Sequence, residues 1–498
     1  MQRLLLPLLA FLLAASTLRA EEPRAAWVAG FDGPQKHGDE ADRIAVTSDG
    51  YAYVVGRAND PRPAHGNAFS LILYRPNGTE VWRRLYAPPG RLAGATGVGA
   101  IQVDSRDRVL AVGWGRTAEG QALFVARIDR NGRPDFLLTP PCESSHFGRY
   151  PPRLDVDAGD GFAVSATRDD DFLVLRYDVS GSLLWEWTFD GPTPDPDIAT
   201  DVAIGPSGEL VVTGFSGFIH SGYDTFGLAP DGTELWWRNQ FGGIGSILGS
   251  AFVAVDVAGD VVVSATPEAW CGLPHAQTWK YSSDGVEVWS DLSDTCRSVS
   301  VQDMALDGEG NVLVLSTAYI DHLRNYDLQL MKYSPGGILL WRHSFDGPAG
   351  TSDHASALAV DGDNAVYVVG GVQSVVGEHD IVTLKYQPDG TREWTRIYDG
   401  GHLDSARDVT VSSAGEVLLT GHRYHTPGES ADFVTLAYQQ NGCAADVTGD
   451  GVVNRDDADR LKAAAGPCLG LCSEDLNGDR VVDDVDGEIL RGSVGPCP

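Results

Sequence analysis

Two acidic loops near the C-terminus hold the residues of this chain that are best suited to binding a metal ion. Each is twelve residues long, DVTGDGVVNRDD from Asp446 and DLNGDRVVDDVD from Asp475. A hard cation such as Ca2+ takes about six to eight oxygen ligands, which such loops supply from positions 1, 3, 5, 7, 9 and 12. The first predicted site comprises Asp446, Thr448, Asp450, the Val452 carbonyl, Asn454 and Asp457. The second comprises Asp475, Asn477, Asp479, the Val481 carbonyl, Asp483 and Asp486.

Both loops belong to one module, residues 443–498, which is duplicated at an offset of 29 residues. Cys443 matches Cys472, and Leu461 matches Leu490. A short helix is predicted after each loop, and no helix is predicted before the first. Thr448 is a weaker ligand than Asp or Asn, and an arginine stands at position 6 of the second loop, where glycine is expected. Both sites should therefore bind Ca2+ less tightly than an ideal loop.

A loop followed by a helix, with aspartate at loop position 12, resembles the dockerin module more than a complete EF-hand. The resemblance implies a small α-helical calcium-binding domain whose partners are cohesin domains, contacted through loop positions 10 and 11. Those positions are Arg455-Asp456 and Asp484-Val485, which do not match the usual hydroxyl or basic pairs. A cohesin is one candidate partner, but these residues argue against it. The module is predicted to serve stability or docking.

The seven cysteines and the N-terminal segment indicate an exported protein. Residues 1–20 combine a basic Arg3, an apolar run and a small Ala20, which is typical of a secretory signal peptide. The apolar run is shorter than the roughly 20 residues of a membrane span, although an uncleaved anchor is the alternative. Symmetry favours the disulfides Cys443–Cys468 and Cys472–Cys497. Cys271 and Cys296 are a further candidate pair, which leaves Cys142 as a buried thiol.

The net charge of −32 argues against a nucleic-acid or anionic membrane partner, because both would repel the protein. The expected location is secreted, periplasmic or at the cell surface. The expected partner is a protein or a polysaccharide there.

Residues 25–442 contain one pattern eight times, and this pattern has to position any site in the rest of the chain. Segments such as ELVVTG end at corresponding positions 48 to 57 residues apart. Four strand signals per unit at this period predict an all-β fold, a β-propeller. An aromatic residue recurs in the fourth strand, where we predict packing between blades. These residues are Trp82, Phe136, Trp185, Trp236, Trp289, Trp341 and Trp394.

The eighth unit stops before its fourth strand, at Asn441-Gly442. The segment AAWVAGFDGP, with Trp27, matches the fourth strands LLWEWTFDGP and LLWRHSFDGP and has no unit of its own. We therefore predict eight blades, the last completed by the N-terminal strand, which removes open sheet edges. A seven-bladed ring is the alternative.

The repeat, with its D-x-A-x-x-V/I, K-Y-x-P-D-G and tryptophan elements, resembles the SBBP type of bacterial β-propeller repeat over about four-fifths of the chain. That resemblance implies the fold and says little about activity. The Gly-x-x-x-Trp element is also similar to the tryptophan-docked repeats of quinone-dependent dehydrogenases, which are eight-bladed as well.

No catalytic motif is present, and no catalytic or organic cofactor-binding residue is assigned. The first strands, such as DVAIG and DMALD, are expected to present mostly small and apolar residues to the propeller axis. We therefore predict a non-catalytic scaffold or binding protein with a calcium-binding module. The alternative is an extracellular enzyme that acts on polysaccharide or uses a quinone at the axis.

Overall fold

The structure of the chain is a computed structural model. It describes residues 25–33, 38–59, 67–86, 97–116, 121–192, 194–217, 222–241, 249, 251–267, 273–292, 298–320, 325–374, 377–424 and 431–439. In the C-terminal segment it describes residues 452–453, 455, 458, 461–462, 466–467, 481–482 and 495–496. The predicted signal peptide, residues 1–20, lies outside these ranges.

Eight antiparallel sheets of four or five strands form the blades of a propeller, which confirms the predicted all-β fold and the count of eight. The strands of blades 1 to 4 are Glu40–Val46, Ala52–Asn59, Asn67–Tyr74 and Glu80–Tyr86; Gly97–Val103, Val109–Arg116, Gln121–Ile128, Pro134–Leu138 and Glu143–Ser144; Arg153–Val156, Phe162–Arg168, Asp171–Tyr177 and Leu183–Phe189; and Asp197–Ile204, Leu210–Ser216, Gly222–Leu228 and Glu234–Phe241. The strands of blades 5 to 8 are Phe252–Val255, Val261–Ala265, Gln277–Tyr281 and Glu287–Leu292; Val299–Leu306, Val312–Ile320, Asn325–Tyr333 and Leu339–Phe345; His354–Val360, Val366–Gln373, His379–Tyr386 and Arg392–Tyr398; and Asp404–Val411, Val417–Tyr424, Ala431–Tyr438 and Ala25–Phe31.

The N-terminal strand Ala25–Phe31 is the fourth strand of blade 8. It pairs antiparallel with Ala431–Tyr438, and Phe31 lies opposite Phe433. The two phenylalanine rings meet edge to face, with centroids 5.2 Å apart. The first and last segments of the propeller therefore share one sheet, as the sequence predicted.

The second strand of each blade forms the core between neighbouring blades. Residues Val109, Leu110, Ala111 and Val112 of blade 2 are fully buried, because blades 1 and 3 cover the two faces of this strand. Alternate side chains of a strand point to opposite faces, so a strand that is apolar throughout fits only between two apolar layers.

The fourth-strand tryptophans join each blade to the next one. The indole Nε1 of Trp341 donates a hydrogen bond to the Pro388 carbonyl in the following blade at 3.1 Å. The same contact joins Trp27 to Pro76, Trp82 to Arg130, Trp185 to Pro230, Trp236 to Ser283 and Trp289 to Pro335. Each ring packs on a glycine of the receiving turn. The predicted role of these residues in packing between blades is confirmed.

In the C-terminal segment, the two halves of the duplication exchange short strands. Val452–Val453 of the first half pairs with Gly495–Pro496 of the second, and Val481–Val482 pairs with Gly466–Pro467. Within the described part of the chain, helical conformation occurs only at Arg455, Ala458, Leu461 and Lys462, so the predicted α-helical module is not seen as a whole. Leu461 is buried.

Two further features bear on earlier expectations. In the part of the chain that the structure describes, no helix is long and apolar enough to cross a membrane. Cys142 is buried and unpaired, as predicted, and burial raises the pKa of its thiol to about 12. The other six cysteines lie outside the described residues.

Candidate functional site at the propeller axis

The first strands of the blades place charged side chains around the propeller axis. Arg43, Arg153, Asp201, Asp303 and Asp408 occupy one level of the ring. In its own blade, each of these residues pairs with the next-to-last residue of the second-strand motif, the segment represented by ELVVTG. Arg153 interacts electrostatically with the three aspartates, although they come from blades 4, 6 and 8. The five side chains therefore converge at the centre.

A β-bulge in the first strand sets this level. The pairing skips one residue at Asp42, Gly99, Thr200, Gln302, Ser356 and Arg407. A bulge shifts the alternation of side chains and re-aims them. The expectation of a small and apolar axis was therefore wrong, because the aspartates that begin DVAIG and DMALD face the axis. Residues on both sides of them, such as Ala199 and Val202, pack between blades.

Each axial carboxylate is bound to the backbone of the next blade. Asp408 accepts the N–H of Ile44 at 3.0 Å, which joins blade 8 to blade 1. Asp42 accepts the N–H of Val98 at 3.1 Å. The same contact joins Asp155 to Ile204 at 2.7 Å, Asp201 to Val253 at 2.9 Å and Asp303 to Leu358 at 2.9 Å. Five of the junctions between blades are closed at the axis in this way.

Burial changes the acidity of these groups. It raises the pKa of Asp303 to about 7 and the pKa values of Asp42 and Asp201 to about 6. Burial also lowers the pKa of Arg153, and the neighbouring charge of Arg43 lowers it further. Both arginines donate to the carbonyl of Gly99, Arg43 through Nε at 2.9 Å.

Two cavities of opposite character open beside this charged level. One, of about 450 Å³, is lined by basic groups and hydroxyls, including Arg43, His354, Arg407 and Tyr326. Burial lowers the pKa of His354, and His379 and Arg407 lower it further, so its imidazole is neutral at neutral pH. The other, of about 540 Å³, is lined by apolar side chains together with carboxylates, among them Asp104, Asp157 and Asp160.

The predicted calcium loops lie mostly outside the described residues. Val452 and Val481 are the described members of the two ligand sets, and both lie in the short exchanged strands. Asp446, Thr448, Asp450, Asn454, Asp457, Asp475, Asn477, Asp479, Asp483 and Asp486 fall outside the described residues.

Comparison with known proteins places the chain among propeller proteins. A family model described as outer membrane protein assembly factor BamB matches residues 162–425, more than half of the chain. No curated protein matches it. Sqt1 from Chaetomium thermophilum has a TM-score of 0.50 at 12% sequence identity, covering 84% of this chain and 99% of that chain. A Dyadobacter fermentans protein of unknown function has a TM-score of 0.43 at 11% identity, covering 84% and 99%. A Xanthomonas campestris gluconolactonase has a TM-score of 0.32 at 12% identity, covering 84% and 95%. Such identities show the fold alone.

Proposed function

The chain belongs to the family described as outer membrane protein assembly factor BamB, and from this membership and the axial geometry we propose that it is an exported, non-catalytic propeller. It acts as a scaffold or binding protein for a protein or polysaccharide outside the cytoplasm. The C-terminal module adds calcium-dependent stability or docking. The family description names an assembly factor of the outer membrane, and this supports an exported location.

The proposal of a non-catalytic role rests on the hydrogen bonds that the axial carboxylates accept from the backbone. A general acid or base has to reach substrate within hydrogen-bond distance. Asp42, Asp155, Asp201, Asp303 and Asp408 each hold an N–H of the neighbouring blade instead. Withdrawing any of them would leave an unpaired amide inside the ring. Their altered acidity is therefore accounted for by a structural role.

The basic cavity is the candidate for ligand contact. Arg43 and Arg407 supply positive charge in a protein that is strongly acidic overall, and hydroxyl groups surround them. Guanidinium and hydroxyl groups together suit an acidic or polyhydroxylated surface group, such as a carboxylate side chain or a sugar acid.

The proposal is tested by calorimetry of the full chain against a panel of acidic and neutral glycans and a quinone. We expect saturable binding of an acidic glycan without turnover, and weaker binding in Arg407→Gln. Arg75→Gln is the matched control, because Arg75 is exposed at a turn away from the axis. Binding followed by product formation would establish the enzymatic alternative instead.

A further inference from the structure

In the part of the chain that the structure describes, four blade junctions contain a cluster of three aspartates. In each cluster, carboxylate oxygens from the three residues all lie within 4.8 Å of one another. The clusters are Asp171, Asp190 and Asp197; Asp327, Asp346 and Asp353; Asp380, Asp399 and Asp404; and Asp432, Asp32 and Asp39. We call them the junction triads.

The three members of a triad have fixed places in the fold. In the junction between blades 6 and 7, Asp327 lies near the start of the third strand, and Asp346 directly follows the fourth. Asp353 directly precedes the first strand of the next blade. Asp327 and Asp353 are buried, whereas Asp346 is exposed. Each of the four triads has one exposed member, which gives it access to solvent.

The backbone positions the third carboxylate in the same way at all four junctions. The N–H of Gly347 donates to Asp353 at 2.5 Å, and that of Gly400 donates to Asp404 at 2.5 Å. Gly33 and Gly191 make the corresponding bonds to Asp39 and Asp197. A Cβ at Gly347 would lie 2.9 Å from the Asp353 carboxylate, so a side chain there would crowd the triad.

In three of the triads, buried carboxylates have acceptor capacity that the described part of the protein does not use. Both carboxylate oxygens of Asp327, a residue only 1% exposed, have no hydrogen-bond partner within the described chain. The Oδ1 atoms of Asp197, Asp380 and Asp404 are also unpartnered there. An unpaired buried carboxylate is costly, and its cost is normally met by a proton or a cation.

We propose that three of the junction triads, those containing Asp197, Asp327 and Asp404, are binding sites for a hard divalent cation, Ca2+, which ties the third and fourth strands of one blade to the first strand of the next. Two oxygens that bind one Ca2+ are at most about 5 Å apart, because each lies roughly 2.3–2.6 Å from the ion. The triad oxygens meet this limit. Three carboxylates and access to water form an all-oxygen set, which suits Ca2+ better than softer metals.

The first test counts bound ions in the full chain after chelator treatment. Replacing Asp446, Asp450 and Asp457, and Asp475, Asp479 and Asp486, with alanine removes the aspartate ligands at positions 1, 5 and 12 of each C-terminal loop, so calcium that still binds by calorimetry belongs to the propeller. In this background, Asp327→Asn with Asp353→Asn should lower the number of calcium ions bound per chain by one. Asp224→Asn is the control, because Asp224 is buried but already accepts bonds from Trp237 and Asn239. Absence of calcium binding in the loop-silenced chain would overturn the proposal.

A second measurement separates an ion site from a merely structural role. In chelator, Asp327→Asn should raise the melting temperature, since it removes repulsion between carboxylates. In millimolar Ca2+ the same variant should melt below the unmodified chain, because it has lost an ion that stabilises the folded state. An equal shift in both buffers contradicts the proposal. Mg2+ should protect less, since it requires a tighter octahedral shell. Neither result depends on whether the axial cavity binds a glycan.

Discussion

The Asp408 carboxylate accepts the backbone N–H of Ile44 at 3.0 Å, so two residues 364 positions apart close the ring at its axis. The same carboxylate accepts the N–H of Val409 at 3.0 Å. One side chain therefore fixes its own strand and binds the next blade. This double use explains how a charged group is kept at the centre of the molecule.

Replacing Asp408 should test this closure. We expect Asp408→Ala to lower the free energy of unfolding by about 1–3 kcal/mol, because the Ile44 amide loses its buried acceptor. Asp408→Asn retains one carbonyl acceptor and should lose less. The measurement is denaturant unfolding of the full chain. Equal losses in the two variants would show that charge, and not the acceptor, is what matters at this position.

The glycine under each docked tryptophan should resist substitution. Gly337 has φ +82°, and a Cβ there would lie 2.6 Å from Cδ2 of Trp289. We expect Gly337→Ala to lose roughly 1–2 kcal/mol to the left-handed backbone alone, and more to the contact. Gly415 has φ +84° and open space around a Cβ, so Gly415→Ala measures the backbone part by itself. Comparable melting temperatures for the two variants would contradict a packing role for Trp289.

Stability without metal should fall as pH rises through the acid range. Burial raises the pKa values of Asp327 and Asp404 to about 7 and those of Asp197 and Asp380 to about 6, above the ordinary 3.8. A carboxyl whose pKa is higher in the folded state stabilises the fold fully below its unfolded pKa. That stabilisation disappears as pH rises through the folded value. In chelator, the melting temperature should therefore decrease from about pH 4 to about pH 7.

One opposing effect does enter this pH window, because burial lowers the pKa of His422 from 6.5 to about 4, so this histidine makes stability rise with pH between these values. Carboxylates with a lowered pKa do not oppose the trend there: burial is the largest single influence on Asp256, but the hydrogen bonds from Lys280, Asp260 and Ala258 and the charge of Lys280 together lower its pKa. The stabilisation from such a carboxylate is lost only as pH falls below the ordinary value. The axial aspartates titrate in the same range, so the triad contribution is the difference between the unmodified chain and Asp327→Asn with Asp404→Asn. The same pH dependence in both chains would contradict the assignment of protonated triads.

The C-terminal loops give a prediction independent of the propeller. Asp486→Ala removes the position 12 carboxylate of the second loop and should lower calcium affinity at that site about tenfold or more, since a ligand oxygen is lost. Asp484→Asn, at position 10 of the same loop, is not at a ligand position and should leave the affinity unchanged. Calcium titration of the full chain compares the two. Identical affinities would remove Asp486 from the ligand set.

The sequence was informative wherever one unit of the repeat contained the whole feature. The tryptophans recur at one place in each unit, so their packing role could be predicted from position alone. The closure of the ring could also be predicted, because FDGP follows Trp27 just as it follows Trp185 and Trp341 in two other fourth strands. The strand pairing of Ala25–Phe31 follows directly from that match.

Features that several strands build together could not be predicted in this way. The axial aspartates were misjudged because the bulges at Thr200, Gln302 and Arg407 shift the alternation, and no local signal marks a bulge there. The junction triads were missed because their members lie in different strands. Their spacing was the available signal, since 19 and then 7 residues separate Asp171, Asp190 and Asp197, and the same intervals recur from Asp327 to Asp353.

The position of Ala25–Phe31 has a consequence for the time course of folding. Blades 1 to 7 each contain all of their own strands, so the strands of each sheet can pair within one continuous segment of the chain. Blade 8 cannot form in this way, because its fourth strand is made first and its third strand, Ala431–Tyr438, is made last. Until that moment the growing chain carries an unpaired apolar strand at its front. The ring therefore closes in a single late event that depends on both ends being intact.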